Sequence, residues 1–161
     1  MGHPAGRSKD TPSEVVRRTL AEHDTLVTAQ RKVEAALTSV ATKRQRAWAE
    51  TVANNLRNLQ QALQDHVDSA ESANGLLDQM ENRMLTIDGQ VVYVLKDHKR
   101  LIDECQALIA KVSSYAGAGK VPLGEVRKNA AALMTNIRKH RSREANLMRD
   151  LFQNEGNGSG R

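Results

Sequence analysis

Apolar residues return along this chain at alternating intervals of three and four, the period that lays one stripe along an α-helix. Four such stripes follow one another. The first runs through Val16, Leu20, His23, Val27, Gln30, Glu34 and Leu37. The second takes Val52, Leu56, Leu59, Leu63, His66, Ala70, Ala73 and Leu77. The third takes Val91, Leu95, His98, Ile102, Cys105, Ile109 and Val112. The fourth takes Val126, Ala130, Leu133, Ile137, His140, Glu144, Leu147 and Leu151.

Punctuation separates the stripes. "TPSEVV" opens the first helix, with Thr11 as cap, Pro12 at the first helical position and Glu14 completing a capping box. The polar run "TKRQR", where the stripe slips by one residue, marks a turn between the first and second helices. "LTIDGQ" marks the start of the third near Asp88, and "YAGAGKVPLGE" parts the third from the fourth. Short connections between long amphipathic helices predict an all-α fold, an up-down-up-down four-helix bundle over residues 11–153. Residues 1–10 and 154–161 read as disordered ends.

Four of the five histidines lie one to a stripe, each at the first of the two heptad core positions; the fifth, His3, lies in the N-terminal end. Two residues of an antiparallel pair share a level when the turn lies midway between them. The midpoint of His23 and His66 falls between Arg44 and Gln45, that of His66 and His98 at Asn82, and that of His98 and His140 at Gly119. Each lies in a stretch that reads as a turn, so the four imidazoles are expected in one layer of the core. A lone seam histidine is most simply a buried, hydrogen-bonded one. Four in one apolar layer leave many nitrogens to satisfy, and a metal satisfies them together. Glu144, one turn beyond His140, adds a carboxylate whose burial a cation offsets. Imidazoles with a carboxylate suit non-haem iron, with zinc or manganese as further candidates.

Composition narrows the partners. The chain has 161 residues, enough for one domain, and aromatics make up 2 % of it, too few for a base-stacking platform. Its net charge of +5 permits contact with nucleic acid or anionic lipid without requiring it. Arg138, Lys139, Arg141, Arg143 and Arg149 read as a solvated face rather than a nucleic-acid footprint. The single cysteine, Cys105, suits a reducing cytosol and reads as core packing. No apolar run approaches the roughly 20 residues of a membrane span, and the start lacks the apolar core of a signal peptide. A cytoplasmic protein is expected, with neither membrane nor nucleic acid as partner. "GAGK" lacks the spacing of a phosphate loop, and no Ser/His/Asp constellation can be placed.

The ordered set "LAEHDTL", "ALQDHVDSAE", "VLKDHKRLIDE" and "IRKHRSREANLM" resembles the hemerythrin-like family over residues 14–152. The resemblance implies a four-helix bundle with a non-haem diiron centre, and one or two iron ions are expected on the ligand set of this chain. Carried over by position, His23, His66, His98 and His140 would be ligands, and Glu144 would bridge or clamp the metal. The chain departs from the family at Ala70, where a Glu is usual, and at Ile102, where oxygen carriers have a further His. Water, Glu71 or Tyr93 are candidates to complete the ligand set. Asp65, Asp68, Glu71, Asp97, Asp103 and Glu104 are candidates to pair with Arg141 and Arg143 or to hold the histidines from outside. The expected role is binding or sensing oxygen, nitric oxide or iron. The alternatives are an iron-dependent oxidase or peroxidase on the same site, and a metal-free bundle with a structural or nucleic-acid-binding role.

Overall fold

The computed structural model describes residues 10–83 and 88–158, and all its regular structure is helical. Helix α1 spans Pro12–Thr38, α2 Gln45–Ala70, α3 Leu76–Arg83, α4 Asp88–Ala118 and α5 Leu123–Gly158. His3, with residues 1–9, 84–87 and 159–161, lies outside the described residues. α5 continues to Gly158, into the segment expected to be a tail.

Local chemistry sets most of the ends. Oγ1 of Thr11 accepts from the backbone N–H of Glu14 at 3.2 Å, and Pro12 opens α1 as its fixed φ allows. The α1–α2 connection turns through Lys43 in the left-handed region, with φ of 60°. Gly119, with φ of +73°, ends α4, and Pro122 precedes α5.

The second stripe is corrected: it is not one helix. α2 ends at Ala70, and Leu77 belongs to the separate short helix α3, so the described residues form five helices rather than four. The break is an Asn-Gly turn. Asn74 has φ of 59°, and its N–H donates to Oδ2 of Asp78 at 2.9 Å. Gly75 packs so tightly that a Cβ there would meet the carbonyl oxygen of Ser69 at 2.5 Å. The expected turn at Asn82 therefore falls inside α3. Leu76, Leu77 and Met80 turn that helix's apolar side inward, against all four long helices.

The long helices close on one another, α1 against α2, α2 against α4, α4 against α5, and α5 against α1. In α2 and α5 the buried stripe is the expected one. In α1 and α4 it lies one residue earlier at every second position. Thr19, Leu26 and Val33 are buried where Leu20, Val27 and Glu34 were expected, and Leu20 is 48 % exposed. Val94, Leu101 and Leu108 replace Leu95, Ile102 and Ile109 in the same way.

The shift makes the layers match. Three residues from each layer histidine stand Leu26, Leu63, Leu101 and Ile137, all buried in the larger apolar cluster. Four residues away on the other side stand Thr19, Ala70, Val94 and Glu144, also buried. Beyond them lies the smaller cluster around Val16, Met80, Val91 and Leu151. The histidines thus sit between two apolar cores. Within the larger one, Leu56, Leu59 and Leu63 are fully buried, each contributing about 1.5–3 kcal/mol of transfer free energy. Cys105 belongs to it as well. Its Sγ donates to the carbonyl of Leu56 at 3.6 Å, and burial pushes the thiol up to about 12, so it is packing rather than chemistry. Trp48 is buried beneath the guanidinium of Arg127, while the side chain of Phe152 lies outside the described residues. Among the described residues no helix is long and apolar enough to cross a membrane.

Candidate metal centre

Each imidazole reaches the layer from a different helix: His23 from α1, His66 from α2, His98 from α4 and His140 from α5. All four are buried, as is Glu144 one turn beyond His140. The rings stand edge to face. Centroids are 5.2 Å apart for His23 and His66, 5.3 Å for His66 and His98, and 4.7 Å for His98 and His140. Thr19, Ala70 and Val94 are the buried residues that stand at the level of Glu144 on the other helices.

The donors converge on one atom. Oε1 of Glu144 lies 2.8 Å from Nε2 of His66 and 3.0 Å from Nε2 of His98, and it also contacts Nε2 of His140. His66, His98, His140 and Glu144 each offer a ligand atom within 4.8 Å of the others, the spacing of a group that could hold a metal ion. His23 stands to one side. Its Nε2 is 3.5 Å from the other oxygen of Glu144, and it does not belong to the tight group.

The opposite edge of each ring is held from outside. Nδ1 of His66 faces Oε1 of Glu22 at 3.0 Å, Nδ1 of His98 faces Oε1 of Glu71 at 3.1 Å, and Nδ1 of His140 faces Oδ2 of Asp97 at 2.8 Å. Ionised carboxylates only accept hydrogen bonds, so each of these Nδ1 atoms donates. A neutral imidazole has one N–H, which leaves Nε2 as a lone pair directed at the centre. Three lone pairs and a carboxylate oxygen directed at each other repel. They become compatible when each imidazole takes a second proton, or when one cation lies among them. The outer carboxylate that fixes each ring's tautomer is the usual companion of a metal-bound histidine.

Orphaned atoms point the same way. Nε2 of His23 and Oε2 of Glu144 are buried and face each other at 3.5 Å, and neither has a hydrogen-bond partner of good geometry among the described residues. Buried polar atoms in proteins are otherwise nearly always satisfied. The donor set, three imidazoles and one carboxylate, fits iron, zinc or manganese by ligand type.

Without a cation the charges lock onto one another. Burial pulls the His66 imidazole down, but bonding to Glu144 and Glu22 outweighs it and raises the group to about 9. His140 is likewise raised against burial, by Asp97 and Glu144. Burial would raise Glu144, yet the imidazoles around it, His140 foremost, hold it well below the carboxylate range. Asp97 is lowered against burial by His140, Arg143 and Arg100. Bound cation and these protons therefore compete for the same nitrogens.

The outer carboxylates follow a rule that the sequence conceals. Glu22 and Asp97 each precede a layer histidine, but neighbouring residues on a helix diverge by about 100°, so each serves the next helix. Glu22 of α1 holds His66 of α2, and Asp97 of α4 holds His140 of α5. Asp65 breaks the pattern by accepting from Gln61 on the surface, and Glu71, at the C-cap of α2, takes over for His98. Lys139 stands where α5 would supply the fourth acid. Among the described residues no carboxylate is bonded to Nδ1 of His23.

Of the candidate completing groups, Glu71 lies behind His98 rather than among the central donors. Tyr93 is 47 % exposed and stacked under the guanidinium of Arg143. Asp68 and Asp103 accept from Gln64 and Lys99 on the surface, and Glu104 accepts from Asn136. No protein-family profile, characterised protein or solved structure matches the chain.

Proposed function

We propose that this chain is a hemerythrin-like four-helix bundle that holds one divalent cation, iron by preference, between His66, His98, His140 and Glu144. Its role on this reading is to bind or sense oxygen, nitric oxide or iron. One observation carries the proposal: three imidazoles, each fixed by an outer carboxylate at Nδ1, turn Nε2 onto the same oxygen of Glu144. The up-down-up-down arrangement is supported by the way the helices enter the larger core. α1 and α4 enter it after their histidines, α2 and α5 before theirs.

A single ion follows from the donor count. Ala70 is buried where a second carboxylate would enter, Ile102 lies outside the central layer, and among the described residues no outer carboxylate holds Nδ1 of His23. Bound iron would supply redox activity and an open coordination position for a small diatomic molecule. The chain's own residues orient the imidazoles, hold their Nδ1 protons and exclude water with the leucine and isoleucine layer below. His23, beside the free oxygen of Glu144, is placed to donate a hydrogen bond to a molecule arriving there.

The test is metal analysis of the full chain purified without added metal, followed by anaerobic ferrous titration and then exposure to air or nitric oxide. Uptake with a change in the optical spectrum on exposure supports the reading. Iron-free protein that also refuses ferrous iron overturns it.

A further inference from the structure

Outside the metal layer, the α4–α5 seam opens into a cleft of about 390 Å³, lined among others by Gln90, Tyr93, Arg143, Asn146, Leu147 and Asp150. The volume suits a small organic molecule. Its chemistry is uneven along its length. Arg143 sits at one end with its side chain 36 % exposed and its guanidinium 4.5 Å over the Tyr93 ring. Asp150 follows seven residues later on α5, about 10 Å further along the axis.

Among the described residues Arg143 has one hydrogen-bonding partner, and is not committed to it. Its Nη1 donates to Oδ2 of Asp97 at 2.8 Å. Asp97 has two further donors: Nη2 of Arg100 at 2.6 Å from Oδ1, and Nδ1 of His140 at 2.8 Å from Oδ2. That carboxylate therefore stays bonded when Arg143 turns part of its fork elsewhere. A guanidinium with free N–H groups, stacked on an aromatic face and half open to a cleft, matches a carboxylate in two-point geometry. Tyr93 and Leu147 provide a flat apolar wall for the rest of such a ligand, and the amides of Gln90 and Asn146 add polar contacts.

The geometry points to a binding site for a small organic carboxylate in this cleft, its anion on Arg143 and its apolar body against Tyr93. The site stands apart from the metal reading, because Arg143 and Tyr93 are in place without a cation.

The probe is benzoate, titrated into the full chain with and without metal and followed by the side-chain amide signals of Gln90 and Asn146. Its neutral isostere benzamide is the control. A dissociation constant of about 1 mM is expected for so small a ligand. R143A is expected to weaken binding at least about tenfold, and R143K, which keeps the charge but loses the planar fork, about three- to tenfold. Thermal melts of both variants separate lost binding from lost fold, and R143K keeps the test open if R143A unfolds. Shifts confined to the cleft, with these graded losses, support the site. No saturation by 20-fold above about 1 mM, equal affinity for benzamide, or shifts elsewhere overturn it.

Discussion

Replacing Asp97 by Asn changes one charge and almost no volume. The wild-type carboxylate is buried, its side chain 2 % exposed, and it accepts from His140, Arg143 and Arg100. The amide can still accept at one oxygen, but His140 loses the anion that fixes its tautomer and raises its basicity. Loss of such an outer partner weakens metal binding about 10- to 100-fold, or roughly 1.4–2.7 kcal/mol. The two arginines, 49 % and 36 % exposed, fall back on solvent and add little. The companion carboxylates then rank by exposure, with Glu22 at 18 % and Glu71 at 35 %, because a water molecule replaces an exposed partner more readily. The expected order of lost affinity is D97N, then E22Q, then E71Q. Competition titration with a chelator of known affinity reads it, with circular dichroism reporting the fold. The reverse order in folded proteins, or no loss in any of the three, refutes the reasoning that these acids act through the histidines.

Four further outcomes follow from the same geometry. E144Q removes the one carboxylate shared by the layer, and metal affinity should fall by more than about 100-fold, beyond the range of an outer partner; chelator competition measures it. H23A should cost less than about tenfold where H66A, H98A and H140A each abolish binding, since His23 lies outside the tight group; retained stoichiometric uptake checks it, and equal losses would place His23 among the ligands. In metal-free protein His66 is raised from 6.5 to about 9, so its protonation stabilises the fold fully below about pH 6.5 and the contribution is lost as pH rises through 9, while cation affinity rises over the same window; denaturant melts against pH, with and without metal, should show the opposing trends. L56A opens the larger core and should cost about 2–5 kcal/mol in urea unfolding while leaving metal stoichiometry unchanged.

The layer was readable in part because midpoints between histidines can be counted without knowing side-chain packing: those at Arg44–Gln45 and Gly119 fall at helix connections, whereas Asn82 lies inside α3. His66, His98, His140 and Glu144 came from that count and from the stripe. The phase of the stripes in α1 and α4 was not readable, for a physical reason. Leu26 and Val27, Val94 and Leu95, Leu101 and Ile102, and Leu108 and Ile109 are adjacent apolar pairs, so periodicity alone favours neither member. Which one is buried depends on the neighbouring helices, and the layers of α2 and α5 decide it. The break before α3 had a local signal, Asn74-Gly75, masked because Ala73 and Leu77 continue the helical spacing. The outer carboxylates were hidden because each acts across a helix boundary: Glu22 lies beside His23 in sequence and holds His66 in space. Asp97 and Glu71 stood among several surface acids that nothing in the sequence distinguishes, since burial separates them only once the helices have packed.

The central claim is one cation on three imidazoles and Glu144. It is tested most directly by anaerobic titration of the metal-free full chain with ferrous ion, counting ions bound per chain at saturation, beside the E144Q variant. One ion per chain in the wild type, and an affinity lower by more than about 100-fold in E144Q, is the result expected. Two ions per chain, or no uptake of ferrous, zinc or manganese ions by the wild type, would contradict it.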